Sequence, residues 1–230
     1  MKLQQRLTIN NSVVEIVDRT TSHDLYSPGR AVFEVITKEA PTGLVELHIG
    51  YKDKLTPYFL GAIESKIKKN NSWLITCREL IGALSFGCDF SLRHPTLRDV
   101  LEQINRCGVT CIAPDTKYAQ TKIPAFCHVG DGVTALRQIG NAFDISDYIF
   151  QQRSDGTIYV GSWHDSNWSQ PENARELPLH VFTSHSAKHA KLVAIPHLRP
   201  GIKINDRYVK EVKLVKSQQE ITWSQSLSNV

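Results

Sequence analysis

The sequence predicts a mainly β protein of the α+β class, in which a small antiparallel β-barrel or sandwich precedes a central α+β unit. The first observation is a period of two in the apolar residues from Leu3 to about Leu84. The second is a change to helical spacing in the middle of the chain. The third is a return to strand-like segments after a polar linker. We therefore divide the chain into residues 1–85, 86–170 and 171–230.

Composition excludes several classes of protein. The chain has 230 residues, 41% of them hydrophobic and 22% charged, which is enough to bury a core without metals or disulfides. No apolar run approaches a membrane span, and residues 1–6 lack the apolar core of a secretory signal. We expect a protein made in the cytoplasm and not inserted into a membrane. A net charge of +4 falls short of the basic footprint of a sequence-reading DNA-binding protein.

Short alternating runs predict the strands of the first region, which are residues 13–17, 31–36, 44–49, 58–67 and 73–77. Pro28-Gly29 and Pro41-Thr42-Gly43 separate them as turns, and a polar turn over residues 68–72 joins the last two strands.

Two capped helices and a hairpin define the central region. Thr96 is the expected N-cap of the first helix, Asp99 occupies the reciprocal capping position, and Gly108 ends the helix. A second helix begins after Asp131. Residues 148–152 and 157–161 then form a hairpin whose turn contains Gly156.

The last region begins with a polar linker over residues 164–175 and is again β. Pro200 and Gly201 suit the second and third positions of a type II turn. Residues 202–204 then fold onto 208–215. This segment is too short for an independent barrel, so we expect it to complete or extend the first domain, or to pair with another subunit.

Three stretches taken together resemble the hub proteins of phage baseplates and tail tips, of Mu-like or similar long-tailed phages, and the related type VI secretion spike proteins. They are residues 58–80, 96–163 and 198–205, and they cover more than half of the chain. Their order and spacing carry the resemblance. Hubs of this kind are commonly longer and have a second complete barrel, which we expect to be reduced or absent here.

The resemblance implies a tube-type barrel and a homotrimeric ring. Such a ring adapts a hexameric tail tube, or a distal tail protein, to a trimeric spike or central fibre. It also surrounds the DNA exit channel, so non-specific contact with passing DNA is expected during ejection. The implied location is the tail tip or baseplate of a virion assembled in the bacterial cytoplasm, and the implied protein is neither an enzyme nor a cofactor binder.

Five residues are candidates for lumen or subunit contacts: Lys66, Lys68, Lys69, Trp163 and Arg199. The three lysines have two interpretations, a solvated hairpin edge that discourages strand pairing or a lumen patch that contacts phosphate. An aromatic side chain such as Trp163 is usually part of the core, but it also suits a subunit contact.

Histidines and cysteines are the residues that could hold a metal. The histidines cluster at His180, His185, His189 and His197, and a spacing of four could place the middle two on one helical face. No HExxH glutamate or paired CxxC accompanies them, so we favour a structural or exposed role. The five cysteines, including Cys107 and Cys111, are expected to be reduced and mostly buried.

Two alternative functions remain. One is a small hydrolase or metalloenzyme that uses the His180–His197 cluster, or Ser154 and Asp155 with a distant histidine. It lacks a coherent set of nucleophile, base and orienting group. The other is a nucleic-acid-binding β-barrel, which would need aromatic and basic residues interleaved on one sheet face.

Overall fold

The computed structural model describes residues 2–170 and 176–227, and its largest element is an 11-stranded sheet built from the first and last parts of the chain. Its first six strands are β1 (Gln4–Ile9), β2 (Ser12–Asp24), β3 (Arg30–Ile36), β4 (Leu44–Tyr51), β5 (Lys54–Lys68) and β6 (Trp73–Glu79). The five strands predicted in this region correspond to β2 through β6 and are confirmed.

The pairings of these six strands run in a closed circuit. β1 pairs with both β2 and β4. The remaining antiparallel pairs of the circuit are β4 with β5, β5 with β6, β6 with β3, and β3 with β2. Alternate side chains point inward, and Leu7, Phe33 and Ile75 are 0% exposed. The asparagines Asn10 and Asn11 have positive φ, which suits the two-residue turn between β1 and β2.

The central region follows a 3-10 helix at Leu80–Ser85. Its elements are β7 (Phe90–Arg93), α1 (Leu97–Asn105), β8 (Cys111–Ile112), α2 (Lys117–Gln120), β9 (Ala125–His128), α3 (Gly132–Ala142), β10 (Tyr148–Gln152) and β11 (Ile158–Ser162). Both predicted helix starts are confirmed. Thr96 and Asp99 form the capping box of α1, and Asp131 caps α3 through the Thr134 amide. The helix α2 and the antiparallel pair of β7 and β9 were not predicted from the sequence.

Amphipathic helices build the core of this region. Leu97, Val100 and Ile104 of α1 and Leu136 and Ile139 of α3 are each 0% exposed and join one apolar cluster. The β10–β11 hairpin closes this cluster and also pairs with β8. No described helix has the length and apolar character needed to cross a membrane.

The last region contains β12 (Phe182–His185), β13 (His189–Val193), β14 (Lys203–Ile204), β15 (Arg207–Val215) and β16 (Gln218–Ser224). β15 pairs with the last residues of β2, from Thr20 to Asp24. The returning segment therefore extends the first sheet within the same chain. Short 3-10 turns at Trp163–Asp165 and Asn167–Ser169 occupy the predicted linker, and its residues 171–175 lie outside the described residues.

The predicted type II turn is present. Ile202 donates its amide hydrogen to the carbonyl of Arg199 at 3.4 Å, which makes Pro200 and Gly201 the central residues. Gly201 has a φ of 87°, in the left-handed region, and its amide donates to the Val209 carbonyl at 2.7 Å. The turn thus leads into β14 and fixes it against β15.

We predict that Gly201→Val lowers the free energy of unfolding by about 1 to 3 kcal/mol, because a β-branched residue is strained at this φ. Space is not limiting, since an added Cβ would find Trp168 Cγ as its nearest heavy atom at 3.4 Å. Urea denaturation measures the change. The matched control is Gly87→Val, where no atom lies within 4 Å of the added Cβ and φ is not left-handed. Equal stabilities of the two variants would contradict the assignment of the turn.

Candidate functional site

Three ionisable side chains are buried together where β2, β6 and the 199–202 turn meet. His23 is 1% exposed, Glu79 is 6% exposed and the Arg199 side chain is 14% exposed. Each belongs to an element distant from the others in sequence, and the arginine comes from the returning region. The cluster, called here the ionic junction, therefore joins the closed strand circuit to the last part of the chain.

Glu79 is the centre of the ionic junction. Its Oε1 atom lies 2.9 Å from His23 Nδ1 and 3.6 Å from Arg199 Nη1, and its Oε2 accepts the Gly29 amide hydrogen at 2.8 Å. Because an ionised carboxylate only accepts, the histidine nitrogen that faces it carries the hydrogen. Arg199 Nη1 also lies within 3.1 Å of both His23 ring nitrogens.

The Pro28-Gly29 turn allows this carboxylate to approach the backbone. A Cβ atom on Gly29 would lie 2.6 Å from Glu79 Oε2 and 3.0 Å from the Ser22 carbonyl oxygen. Any larger residue would displace the carboxylate or the strand. The glycine is therefore required by the packing of Glu79.

The surroundings set the protonation states of the junction. Burial, reinforced by the nearby Arg199 charge, lowers the pKa of His23, so its imidazole is neutral at neutral pH. Burial alone would raise the pKa of Glu79, but its contacts with His23, Arg199 and the Gly29 amide outweigh burial and lower that pKa. The junction thus contains one buried anion and one buried cation beside a neutral ring.

Tyr58 and Gln219 extend the ionic junction into the strand circuit. Tyr58 on β5 is 0% exposed, and its ring lies 5.0 Å from the His23 ring, edge to face. The Arg199 guanidinium carbon lies 5.3 Å from the Tyr58 ring centroid. Gln219 on β16, also 0% exposed, donates to the Tyr58 hydroxyl at 3.2 Å and to the Ile195 carbonyl at 3.1 Å. The last strand therefore has a polar contact inside the first region.

Four residues of the ionic junction and its extension were not predicted from the sequence: His23, Glu79, Tyr58 and Gln219. The alternation of side chains along β6 indicated that Glu79 is buried, because it occupies the same face of the strand as Ile75 and Cys77. A polar residue at a core position of a strand indicates a buried partner. The partner itself could not be read from the pattern.

The five predicted contact residues fall into two groups. Arg199 lies in the ionic junction, and Trp163, which is 6% exposed, donates its indole N–H to the Gly201 carbonyl at 2.8 Å. The fold thus brings Arg199 and Trp163 to the 199–202 turn, where each contacts other residues of the same chain. Their role in subunit contacts stays a prediction.

The three lysines lie at the exposed end of β5 and in the turn after it. Lys69 Nζ is 2.8 Å from Glu34 Oε2, Lys68 Nζ lies 4.6 Å from the Trp73 ring centroid, and Lys66 donates to the Pro41 carbonyl at 3.3 Å. These are surface contacts on a hairpin edge. A contact with DNA in a lumen stays a prediction.

The four clustered histidines are exposed. His185 ends β12 and His189 begins β13, so the spacing of four belongs to a hairpin and not to the helical face that it also allowed. Within residues 2–170 and 176–227, no group of three or more His, Cys, Asp or Glu side chains is placed to hold a metal ion.

A cleft of about 510 Å³ borders Arg199 and is also lined by Ser154, Asp155 and His197, the residue types that a hydrolase would use. Asp155 takes part in the hairpin turn. The Asp155 carboxylate accepts from the Thr157 amide at 2.9 Å and from the Thr157 hydroxyl at 2.7 Å, as in a hairpin turn. Across the described part of the chain, Ser154 has no hydrogen bond to a histidine.

Comparisons with known proteins agree with this fold. No family model matches the sequence. The chain is 28% identical over 217 residues to a 58.7 kDa protein of Haemophilus phage HP1, an alignment that covers 93% of this chain and 40% of that protein. The chain therefore spans less than half the length of this relative.

Among solved structures, a 43 kDa tail protein of a Shewanella oneidensis prophage matches 97% of this chain and 98% of its own, with a TM-score of 0.72 and 8% identity. The chain has the fold of phage tail proteins. A tail protein of Neisseria meningitidis has a TM-score of 0.68 at 10% identity and is covered to 96%. A component of the E. coli type VI secretion system has a TM-score of 0.57 at 11% identity and is covered to 76%. The resemblance found in the sequence is confirmed at the level of the fold.

We predict that Arg199→Met lowers the free energy of unfolding by about 3 to 5 kcal/mol, because it leaves the buried Glu79 carboxylate without its cation. Adding Glu79→Gln to the same protein should recover much of that loss, since the uncompensated charge is then gone. Urea unfolding of the single and double variants measures both effects.

The matched control is Lys191→Met, which breaks an exposed ion pair with Glu220 whose side chains are 36% and 47% exposed. It should cost less than about 1 kcal/mol. A loss in Arg199→Met as small as in this control would contradict the charge balance assigned to the junction.

Acid should destabilise the protein in two stages. The pKa of His23 is lower in the folded protein than its ordinary value of 6.5. Below about pH 6.5 the unfolded chain therefore binds more protons at His23 than the folded chain does, and stability falls as the pH decreases. Glu79 causes a second loss of stability below its ordinary pKa of 4.5, because its pKa in the folded protein is lower than that. The slope is at most about 1.4 kcal/mol per pH unit for each group.

Unfolding free energies measured from pH 8 to 3 test this dependence. His23→Gln should remove the first stage and keep the second. His185→Gln, at an exposed position, should retain both. An unchanged slope between pH 6.5 and 5 in His23→Gln would show that another group titrates there.

Proposed function

We propose that this chain is a structural, non-enzymatic subunit of a phage tail or of a related tail-like particle, acting at the hub of the baseplate or tail tip. The observation that carries the proposal is the extent of the match to the Shewanella prophage tail protein, which covers nearly all of both chains. The relationship to a protein of phage HP1 supports the same origin. A match over the whole chain favours a shared architecture over a borrowed module.

The closed circuit of six antiparallel strands is, in this proposal, a tube-type barrel. Closure removes the free edges that would otherwise pair with other strands. Three copies would form a ring around the DNA exit channel, between a hexameric tail tube or distal tail protein and a trimeric spike or central fibre. The hairpin that carries Lys66, Lys68 and Lys69 supports non-specific contact with DNA phosphates if it faces the lumen.

The ionic junction has a structural part in this function. A ring subunit must keep a fixed angle between its strand circuit and the sheet extension, because both would contact neighbours. The contacts of Glu79 with His23 and Arg199 hold that angle inside each copy. Assembly then needs only surface interactions between copies.

A homotrimer is the expected outcome of light-scattering mass measurement, with three times the 25.9 kDa mass of the chain. The measurement should be made on the protein alone and after mixing with tail tubes, because some ring proteins assemble only on a neighbour. Electron microscopy of particles with this subunit labelled should place it at the tail tip. Two-fold or single-copy placement in the particle would contradict the trimer, and a location away from the tail would contradict the function.

A further inference from the structure

Two cysteine side chains meet in the central region. The Sγ atoms of Cys88 and Cys107 lie 2.9 Å apart. Cys88 precedes β7 and is 6% exposed, whereas Cys107 follows the end of α1 and is half-buried, so solvent reaches it. We propose that Cys88 and Cys107 form a disulfide site that closes when the protein meets a small-molecule disulfide oxidant.

The backbone around both residues is already held in place. The Cys88 amide donates to the Gly130 carbonyl at 2.7 Å, and the Cys107 amide donates to the Ile104 carbonyl at 3.0 Å. A disulfide requires a sulfur–sulfur distance of about 2.05 Å, so the two sulfurs need to approach by less than about 1 Å. We therefore expect the two side chains to close this gap by rotation, with β7 and α1 in place.

Cys107 is the first thiol to react, because it is the more accessible of the two. Burial raises the pKa of Cys88 to about 12, and its contact with Cys107 adds to this, so few Cys88 thiolates meet an oxidant in solution. Burial likewise raises the pKa of Cys111 to about 12. Cys111 is a poor competitor, because it is 6% exposed on β8 and its amide is fixed by Asn105 at 2.7 Å.

The reaction is thiol–disulfide exchange with a compound RSSR such as oxidised glutathione. The Cys107 thiolate attacks one sulfur of RSSR, forms a mixed disulfide and releases RS⁻. Cys88, losing its proton as it attacks, then displaces the second RS⁻ from Cys107. The two thiol protons end on the two RSH molecules, so two protein thiols are oxidised and one RSSR is reduced.

The disulfide would close a loop that contains β7 and the whole of α1. Because such a loop restricts the unfolded chain, the oxidised central region should be harder to unfold. We expect a rise of about 5 °C or more in Tm, reversed by a reducing agent. This site is independent of the proposed function, because it rests only on the contact of the two sulfurs.

The folded protein is incubated with oxidised glutathione at pH 8 and desalted. It is then unfolded in urea that contains iodoacetamide, so that buried free thiols such as Cys77 also react, and is measured by intact mass and peptide mapping. We expect two of the five thiols to escape alkylation, with one peptide linking Cys88 to Cys107. Cys88→Ser and Cys107→Ser should each abolish the link and the rise in Tm. Cys127→Ser, which removes an exposed thiol 3.0 Å from the Ser91 hydroxyl, should retain both.

Three results would overturn the proposal. One is a mixed disulfide with glutathione at Cys107 that persists without closing. Another is a link from Cys107 to Cys111 in place of Cys88. The last is a Cys88–Cys107 link that forms as fast in denaturing urea as in the folded protein, because the folded contact would then have no part in it.

Discussion

A single buried carboxylate constrains the whole molecule. Glu79 occupies a core position at the end of β6, and an unpaired charge there would destabilise the fold by several kcal/mol. Two of its partners, His23 and Gly29, lie on neighbouring elements, but its cation, Arg199, comes from the far end of the chain. The last region must therefore return to this point. An ion pair of this kind contributes little net stability, and we infer that its effect here is to specify one docking position.

The central region is fixed by apolar packing and by one buried amide. Gln152, 4% exposed at the end of β10, accepts the Ile81 amide hydrogen at 3.1 Å and donates to the Leu60 carbonyl at 2.8 Å. Leu25, Ile149 and Trp163 belong to one apolar cluster shared by the first and central regions. The three regions thus share contacts, and a disturbance in one should reach the others.

Local signals account for what the sequence could predict. The caps at Thr96 and Asp131 and the turn at Gly201 depend on a few adjacent residues, and all three are present. The ionic junction and the pairing of β2 with β15 both join residues that are far apart in sequence. The local alternation of apolar and polar residues could not predict either contact. The spacing of four between His185 and His189 fits a helical face and a hairpin equally, and only the pairing of β12 with β13 separates the two.

The strand β2 connects three parts of the sheet and could carry force between them. It pairs with β1 through its first residues, with β3 through its middle and with β15 through its last. We expect a pull along the strands of the last region to be transmitted through β2 into the strand circuit, with the hydrogen bonds between β2 and β15 loaded together in shear. Because β2 is one unbroken strand between these pairings, tension along it would not have to cross a loop.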